Sequence, residues 1–424
     1  MYLRELELDR FRSYERLRLS LGPGLTLLVG DNAAGKSNLL EAVALLAMTR
    51  SPRASTEGEM IGWPALAAAC DEEPAAARVG GGAVRAEGPV QVEIALVARA
   101  DAQGRPAPTR TGAPLTSKRL RLNGVARRAT QVVGRISAVL FTTLDIEILT
   151  GPPSRRRRFL DLLIAQSDRG YARAYGRYDK AVTQRNAVLK RMSEGAAGAG
   201  ELAPWDDFLA EAGGAVLAAR ASAVAALSEL APGRHRFLAP EPGGDAGPLR
   251  LDYQPALHTT PWPPGDRPNP ADAGALLRDA MAAAHRREVA AGATLVGPHR
   301  DDVALLLGDR PAGRYASRAQ QRSIALALRL AEADLLRQRA GEAPILLLDD
   351  LFSELDAARR EATAAALAEA LHAAGGGRAG PATEPGVGQL LVTTADAAAL
   401  PPGLPPPAAS YRIVDSALRP LTSA

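Results

Sequence analysis

The chain has 424 residues, with 46% hydrophobic and 23% charged side chains and a formal net charge of +4. That length corresponds to two or three domains, and the composition is that of a folded globular chain and excludes disorder over most of it. The near-balance of charge excludes a standing basic field, so an anionic partner has to be held by local patches.

Alternation of Leu3, Leu6 and Leu8, then of Leu17, Leu19 and Leu21, predicts two short amphipathic strands. Gly22, Pro23 and Gly24 precede a continuous apolar run at 25–29, the pattern of a buried strand. A helix is predicted from Lys36 to about Met48. Residues 51–88, rich in Ala, Gly and Pro, read as an insertion or mobile loop. Strand patterns return at 90–97 and 118–122, with a tight turn at Asn123-Gly124, and again at 138–141. Helical periodicity then dominates: Ser154 is placed to cap a helix running to Gln166, and helices follow at 169–192, 205–230 and 273–291. Pro/Gly-rich loops are predicted at 192–204 and 239–270. The end returns to mixed structure, with a helix at 317–340, a strand at 345–349, a helix near 356–373, a Gly/Pro loop and a strand at 389–393. The expected fold class is α/β: one lobe built from 1–150 plus 341–424, with an inserted, mainly helical second lobe over 151–340.

Of the 51 basic residues only Lys36, Lys118, Lys180 and Lys190 are lysines. The arginine excess reads as genomic composition, and Lys118, Lys180 and Lys190 as ordinary surface residues. The single cysteine, Cys70, rules out an intramolecular disulfide and a cysteine zinc site, and is expected to be a small buried side chain. The N-terminal residues lack the apolar core of a signal peptide, and no run approaches the ~18 uninterrupted apolar residues of a membrane span. A cytoplasmic protein without a membrane partner is expected.

The chemistry concentrates in three places. Gly30, Asp31, Asn32, Ala33, Ala34, Gly35, Lys36 and Ser37 satisfy GxxxxGK[ST], directly after a buried-strand pattern and before a helix. The glycines let the backbone turn its N–H groups toward phosphate oxygens, and the helix start adds its positive end. Lys36 is a mobile cation for the β- and γ-phosphates, the Ser37 hydroxyl is a Mg²⁺ ligand, and Asn38 extends the nucleotide site. The second place is the apolar run at 345–348 ending in Asp349 and Asp350. Asp349 is suited to holding Mg²⁺ opposite Ser37, and Asp350 to orienting or deprotonating the attacking water. In the third, Ser317 opens a long helix containing Ala319 and Gln320, about 30 residues before the acidic pair. Such a Ser-capped start resembles the signature helix of ABC-type ATPases, which meets the γ-phosphate bound by a second subunit. Ser353-Glu354-Leu355-Asp356 resembles the D-loop of the same superfamily.

Together these residues resemble the RecF family, bacterial recombination and gap-repair ATPases related to the heads of SMC-type proteins. The match covers most of the chain. It includes Met1-Tyr2-Leu3, Phe11-Arg12-Ser13-Tyr14, Gly151-Pro152-Pro153-Ser154 with Arg155 to Arg158, the family-specific segment 294–302, the run 347–356 and Val392-Thr393-Thr394. Three departures stand out: Ala319 where the signature usually carries Gly, the segment 141–145 without a Pro and an acidic residue before Asp145, and Ala33 and Ala34 within the phosphate loop.

The resemblance implies an ATP- and Mg²⁺-dependent homodimer that binds double-stranded DNA at gaps or single-stranded/double-stranded junctions. It further implies slow, DNA-stimulated hydrolysis, work with RecR and RecO in loading recombinase, and a place in DNA replication and the SOS response. It also gives Arg12 the role of a nucleotide-contacting residue and Ser317, Ala319 and Gln320 that of a signature acting in trans. No DNA-contacting residue is identified. Aromatic residues, at 4%, are too few to suggest a stacking track, and a helix would spread Arg155 to Arg158 around its circumference. A transporter-type energising subunit is disfavoured by the long interval between Lys36 and Ser317. A small-molecule kinase would leave the signature-like helix and the acidic pair without partner logic.

Overall fold

The computed structural model describes residues 1–70, 74–99, 106–107, 109, 112–239, 247–257, 267–372 and 388–421. It divides into two compact units, Met1–Leu144 with Glu332–Ala424, and Asp145–Ala331. The sequence places the divisions at 150/151 and 340/341, whereas the structure divides at 144/145 and at 331/332, within the helix Arg318–Ala340.

The first unit contains two six-stranded sheets. One is antiparallel, in the order Tyr14–Ser20, Tyr2–Phe11, Ala76–Arg85, Gly88–Ala98, Thr116–Leu122, Val125–Arg127. The other runs Ala417–Pro420, Ala409–Val414, Gly24–Val29, Gln389–Thr394, Ile345–Asp349, Ala138–Thr142, and is parallel except for the hairpin at 409–420. The helix Lys36–Met48 packs against strands of both sheets. Leu39, Leu40 and the run from Ala42 to Ala47 are fully buried. From Leu39 onward the helix is apolar on every side except at Glu41, and it is buried on every side there. Gln389, fully buried, clamps the two sheets: its Nε2 donates to the carbonyls of Leu3 (2.9 Å) and Gly22 (2.8 Å), and its Oε1 accepts from the Leu3 amide (2.8 Å).

Several expectations for this unit are corrected. The stretch 51–88 is not a loop. It holds a 3₁₀ turn at Glu57–Met60, a short helix at Trp63–Ala67 and the strand Ala76–Arg85, which pairs with two others inside the sheet. Residues 71–73 of it lie outside the described residues. Cys70 is exposed, not buried. Lys118 is half-buried and paired with Glu57, while its Nζ donates to the Thr49 carbonyl at 3.0 Å. Lys180 and Lys190, in the second unit, are exposed as their surface reading expects. The hairpin at 409–420 had no counterpart in the sequence reading.

The second unit is mainly helical. Helices Pro153–Ser167, Arg169–Ser193, Ala199–Leu238 and Pro270–Ala291 pack together with a three-stranded antiparallel sheet of Leu249–Gln254, Asp302–Leu307 and Arg310–Pro311. Ser154 does not cap the first helix: the cap position is Pro152, without a side-chain bond, and Pro153 supplies the preset φ of a first helical residue. The loop expected at 192–204 shrinks to a few residues, because Ala199–Leu238 begins before Pro204 and continues past Pro232. The loop expected at 239–270 contains a strand, and lies in part (240–246 and 258–266) outside the described residues. So does the Gly/Pro loop, at 373–387.

Ala199–Leu238 is the one described helix long and apolar enough over 18 residues to cross a membrane, and 61% of that window is buried inside the protein. It packs against helices Arg169–Ser193 and Pro270–Ala291. Gly214 permits the close approach, since a Cβ there would lie 2.4 Å from the Pro270 carbonyl oxygen. Two buried arginines complete this core. Arg185 pairs with Asp206 and Glu288, and Arg220 with Asp161 and Asp301.

Candidate nucleotide site

The strand Gly24–Val29 delivers the chain to the phosphate loop at its carboxyl end, the usual ligand position of a parallel sheet. Gly30 is required there, because a Cβ would sit 2.6 Å from the Ile413 carbonyl oxygen. Ala33 (φ 67°) and Gly35 (φ 106°) take left-handed backbone conformations, the kind of turn that gathers backbone N–H groups into an anion-binding concavity. Gly35 is the cap of Lys36–Met48. Lys36 is 6% exposed, and its Nζ donates to the carbonyls of Gly30 (2.5 Å) and Asp31 (2.8 Å).

The acidic pair comes to the same place. Ile345–Asp349 and Gln389–Thr394 are neighbouring parallel strands, and Gln389–Thr394 in turn borders Gly24–Val29. Ser37 Oγ donates to Asp349 Oδ1 at 2.8 Å across 312 residues of chain. Thr393 Oγ1, whose role the sequence did not suggest, lies 3.0 Å from the same oxygen and accepts from the Asp350 amide at 3.1 Å. Asp350 leaves the strand at φ 49°, ψ 35°, a left-handed conformation that Asp tolerates better than most residues. Burial pushes its carboxyl above the ordinary range; Lys36 opposes that shift, and Asp349 adds to it. Ser353 Oγ donates to the Asp350 carbonyl at 2.8 Å, tying the D-loop-like turn to the acidic pair.

The segment carrying Arg12 borders the loop as well. Tyr14 OH donates to the Gly35 carbonyl (3.1 Å), and Asn38 Nδ2 donates to Ser13 Oγ (2.9 Å). Arg12 forks onto Glu41, with Nε to Oε2 at 3.0 Å and Nη2 to Oε1 at 2.8 Å. The first unit therefore brings together Gly30 to Asn38, Arg12, Asp349 and Asp350.

Ser317, Ala319 and Gln320 belong to the second unit. Ser317 and Gln320 form a reciprocal capping box: the Gln320 amide donates to Ser317 Oγ at 3.2 Å, and the Ser317 amide to Gln320 Oε1 at 2.8 Å. Ser317 is exposed, and Ala319 and Gln320 are half-buried.

Three arginines of the basic run are paired within the second unit. Arg155 pairs with Glu147, Arg156 grips Asp302 through Nε (2.6 Å) and Nη2 (3.0 Å), and Arg157 donates to the Asp301 carbonyl (2.7 Å). Thus the 155–158 run and the 294–302 segment, separate in sequence, lock onto each other. His299 lies inside that lock, with Nδ1 2.6 Å from Tyr178 OH and Nε2 3.1 Å from the Thr294 carbonyl, and burial pushes its pKa down. Arg300 is exposed.

The phosphate loop, the helix start and the contact of Ser37 with Asp349, at the end of a parallel strand two places along the sheet from the strand that feeds the loop, define the protein as one of P-loop ATPase fold. Comparisons with known proteins agree. Residues 5–98 match the family described as AAA domain. The chain is 42% identical over 367 residues to the DNA replication and repair protein RecF of Chloroflexus aurantiacus, covering 85% of this chain and 88% of the relative. It is 44% identical over 366 residues to the same-named protein of Herpetosiphon aurantiacus, covering 85% and 89%. Among solved structures, it resembles that of the recombination mediator protein RecF-ATP in the RecFOR pathway, with a TM-score of 0.78, 26% identity and coverage of 99% and 98%. The chain belongs to the RecF family of DNA replication and repair proteins.

Proposed function

We propose that this protein is an ATP-switched DNA-binding protein of recombinational repair and DNA replication. ATP closes a homodimer on double-stranded DNA at gaps or single-stranded/double-stranded junctions, and slow, DNA-stimulated hydrolysis to ADP and phosphate reopens it. It works with the mediator proteins RecR and RecO to help load recombinase in the SOS response, in the cytoplasm. The observation that carries this reading is the 2.8 Å contact between Ser37 Oγ and Asp349 Oδ1 beside the phosphate loop.

That hydroxyl–carboxylate pair fits Mg²⁺, a hard cation held by one or two protein oxygens together with substrate phosphates and water. Among the described residues no cluster of three or more His, Cys, Asp or Glu side chains is arranged for a metal, so a site completed by phosphates is the form this chain supports. When bound, Mg²⁺ neutralises charge on the β- and γ-phosphates. Lys36 leaves the Gly30 and Asp31 carbonyls to pair with the same phosphates, and the loop amides receive their oxygens. Arg12 contacts the nucleotide from the segment beside the loop. Asp350, one residue beyond the metal-binding carboxylate, orients the attacking water and accepts its proton. Ser317, Ala319 and Gln320 present a capped helix start to the γ-phosphate bound by the second copy, where the Ala319 methyl group slows turnover.

The test is nucleotide and DNA binding by the full chain. Lys36→Ala is expected to lose nucleotide binding and the ATP effect on duplex affinity together, and duplex affinity of the parent is expected to fall steeply with salt. Parent protein whose duplex affinity is the same with ATP, ADP or neither would contradict the switch.

A further inference from the structure

Glu41 is fully buried in the helix Lys36–Met48, and none of the phosphate-loop roles uses it. A buried carboxylate is costly unless it is paired and hydrogen-bonded, and this one is saturated. Oε1 accepts from Arg12 Nη2 (2.8 Å) and Ser51 Oγ (2.5 Å); Oε2 accepts from Arg12 Nε (3.0 Å), and Arg53 Nη1 stands 3.6 Å away. Two parallel N–H···O bonds fix the plane of the Arg12 guanidinium as well as its position. A third contact, from Arg12 Nη1 to the Glu59 carbonyl (2.7 Å), sets its rotation. Of the five guanidinium N–H donors, three are engaged in these bonds, and Arg12 keeps 23% of its side chain exposed. Its backbone is left-handed (φ 52°) and is held there by the Arg12 amide bond to the Met60 carbonyl at 2.9 Å. Arg12 is thus constrained from both ends.

Glu41 follows Ser37 and Asn38 by four and three residues, so all three share one face of the helix, a single turn apart. We propose that Glu41 is a positioning residue of the nucleotide site. It holds Arg12 as a preformed cation one turn beyond the phosphate loop, and Ser51 and the Glu59 carbonyl bind the 51–60 segment to the same cluster. This rests on the reading of Arg12 as a nucleotide contact. Preorganisation is what the pair supplies: an unpaired Arg12 would have to be ordered at the moment of binding.

Equilibrium binding of a fluorescent ATP analogue to the full chain, with unfolding midpoints recorded in parallel, tests this through a double-mutant cycle. Arg12→Ala and Glu41→Gln are each expected to weaken binding by about tenfold or more, the range of a charged hydrogen-bonded contact. The double variant Arg12→Ala/Glu41→Gln is expected to bind no worse than Arg12→Ala alone, whatever its unfolding midpoint. Arg12→Lys, which keeps the charge and loses the fork, should lose affinity like Glu41→Gln. Should Glu41→Gln not fold, Glu41→Asp and its pairing with Arg12→Ala carry the same comparison. Multiplying losses in the double variant would overturn the proposal, because Glu41 would then act by supporting the helix rather than through Arg12. A neutral Arg12→Ala would overturn it too. A parent chain that fails to bind the analogue would instead defeat the nucleotide reading itself.

Discussion

Single residues of the phosphate loop carry both its chemistry and its strain. Ala33 sits at φ 67°, where an L side chain costs roughly 1 kcal/mol and glycine does not. Ala33→Gly should therefore stabilise the protein by about 1 kcal/mol with nucleotide binding retained, as read from thermal unfolding. An unchanged or lower midpoint would show that the alanine methyl makes a compensating contact. Asp350 stores a different cost, since burial and Asp349 hold its carboxyl above the ordinary value of 3.8. A raised folded pKa means that the stability this group contributes is full below the ordinary value and is lost as pH rises through the folded one. Asp350→Asn is accordingly expected to unfold at higher temperature than the parent at pH 8, with the gain fading toward pH 3–4, within roughly a unit of the unperturbed carboxyl. A variant less stable than the parent at pH 8 would refute that account. Its activity should follow the proton-accepting role: nucleotide still binds, and hydrolysis nearly stops.

Elements were legible in the sequence where one period dominated, and hidden where packing overrode it. The strand–loop–helix at 24–48 and the acidic strand end at 349–350 could be read because their residue types are dictated by chemistry. The strand Ala76–Arg85 could not, because Gly80, Gly81 and Gly82 erase its alternation. Gly81 is the place where the buried helix presses on the sheet: a Cβ there would lie 2.4 Å from Leu46 Cδ1. The strands Leu249–Gln254 and Ala409–Val414 were obscured by the Pro- and Gly-rich stretches around them. The family resemblance points to Arg12, whereas in sequence Glu41 reads as one acidic residue of a helix. Its one signal was a carboxylate amid an otherwise apolar run. In the second unit, the contact of Gly214 with the start of Pro270–Ala291 leaves no room for a side chain. Gly214→Ala should cost about 1–3 kcal/mol by overpacking, seen as faster amide exchange in both helices. Unchanged exchange would mean that the two helices separate freely.

At the scale of the whole molecule, the near-balanced charge acquires a meaning. The arginines that looked most like a nucleic-acid contact, at 155–157, are spent on Glu147, Asp302 and the Asp301 carbonyl. Lys118 is likewise turned inward to Glu57. The proposed switch would have DNA gripped by a surface assembled on dimer closure, which makes the oligomeric state the quantity to follow. Light scattering on Asp350→Asn with Mg²⁺ and a gapped duplex, in ATP and then in ADP, tests the account most directly. It predicts a doubled protein mass in ATP and a monomer in ADP, whereas a monomer in both nucleotides, with ATP demonstrably bound, would contradict it.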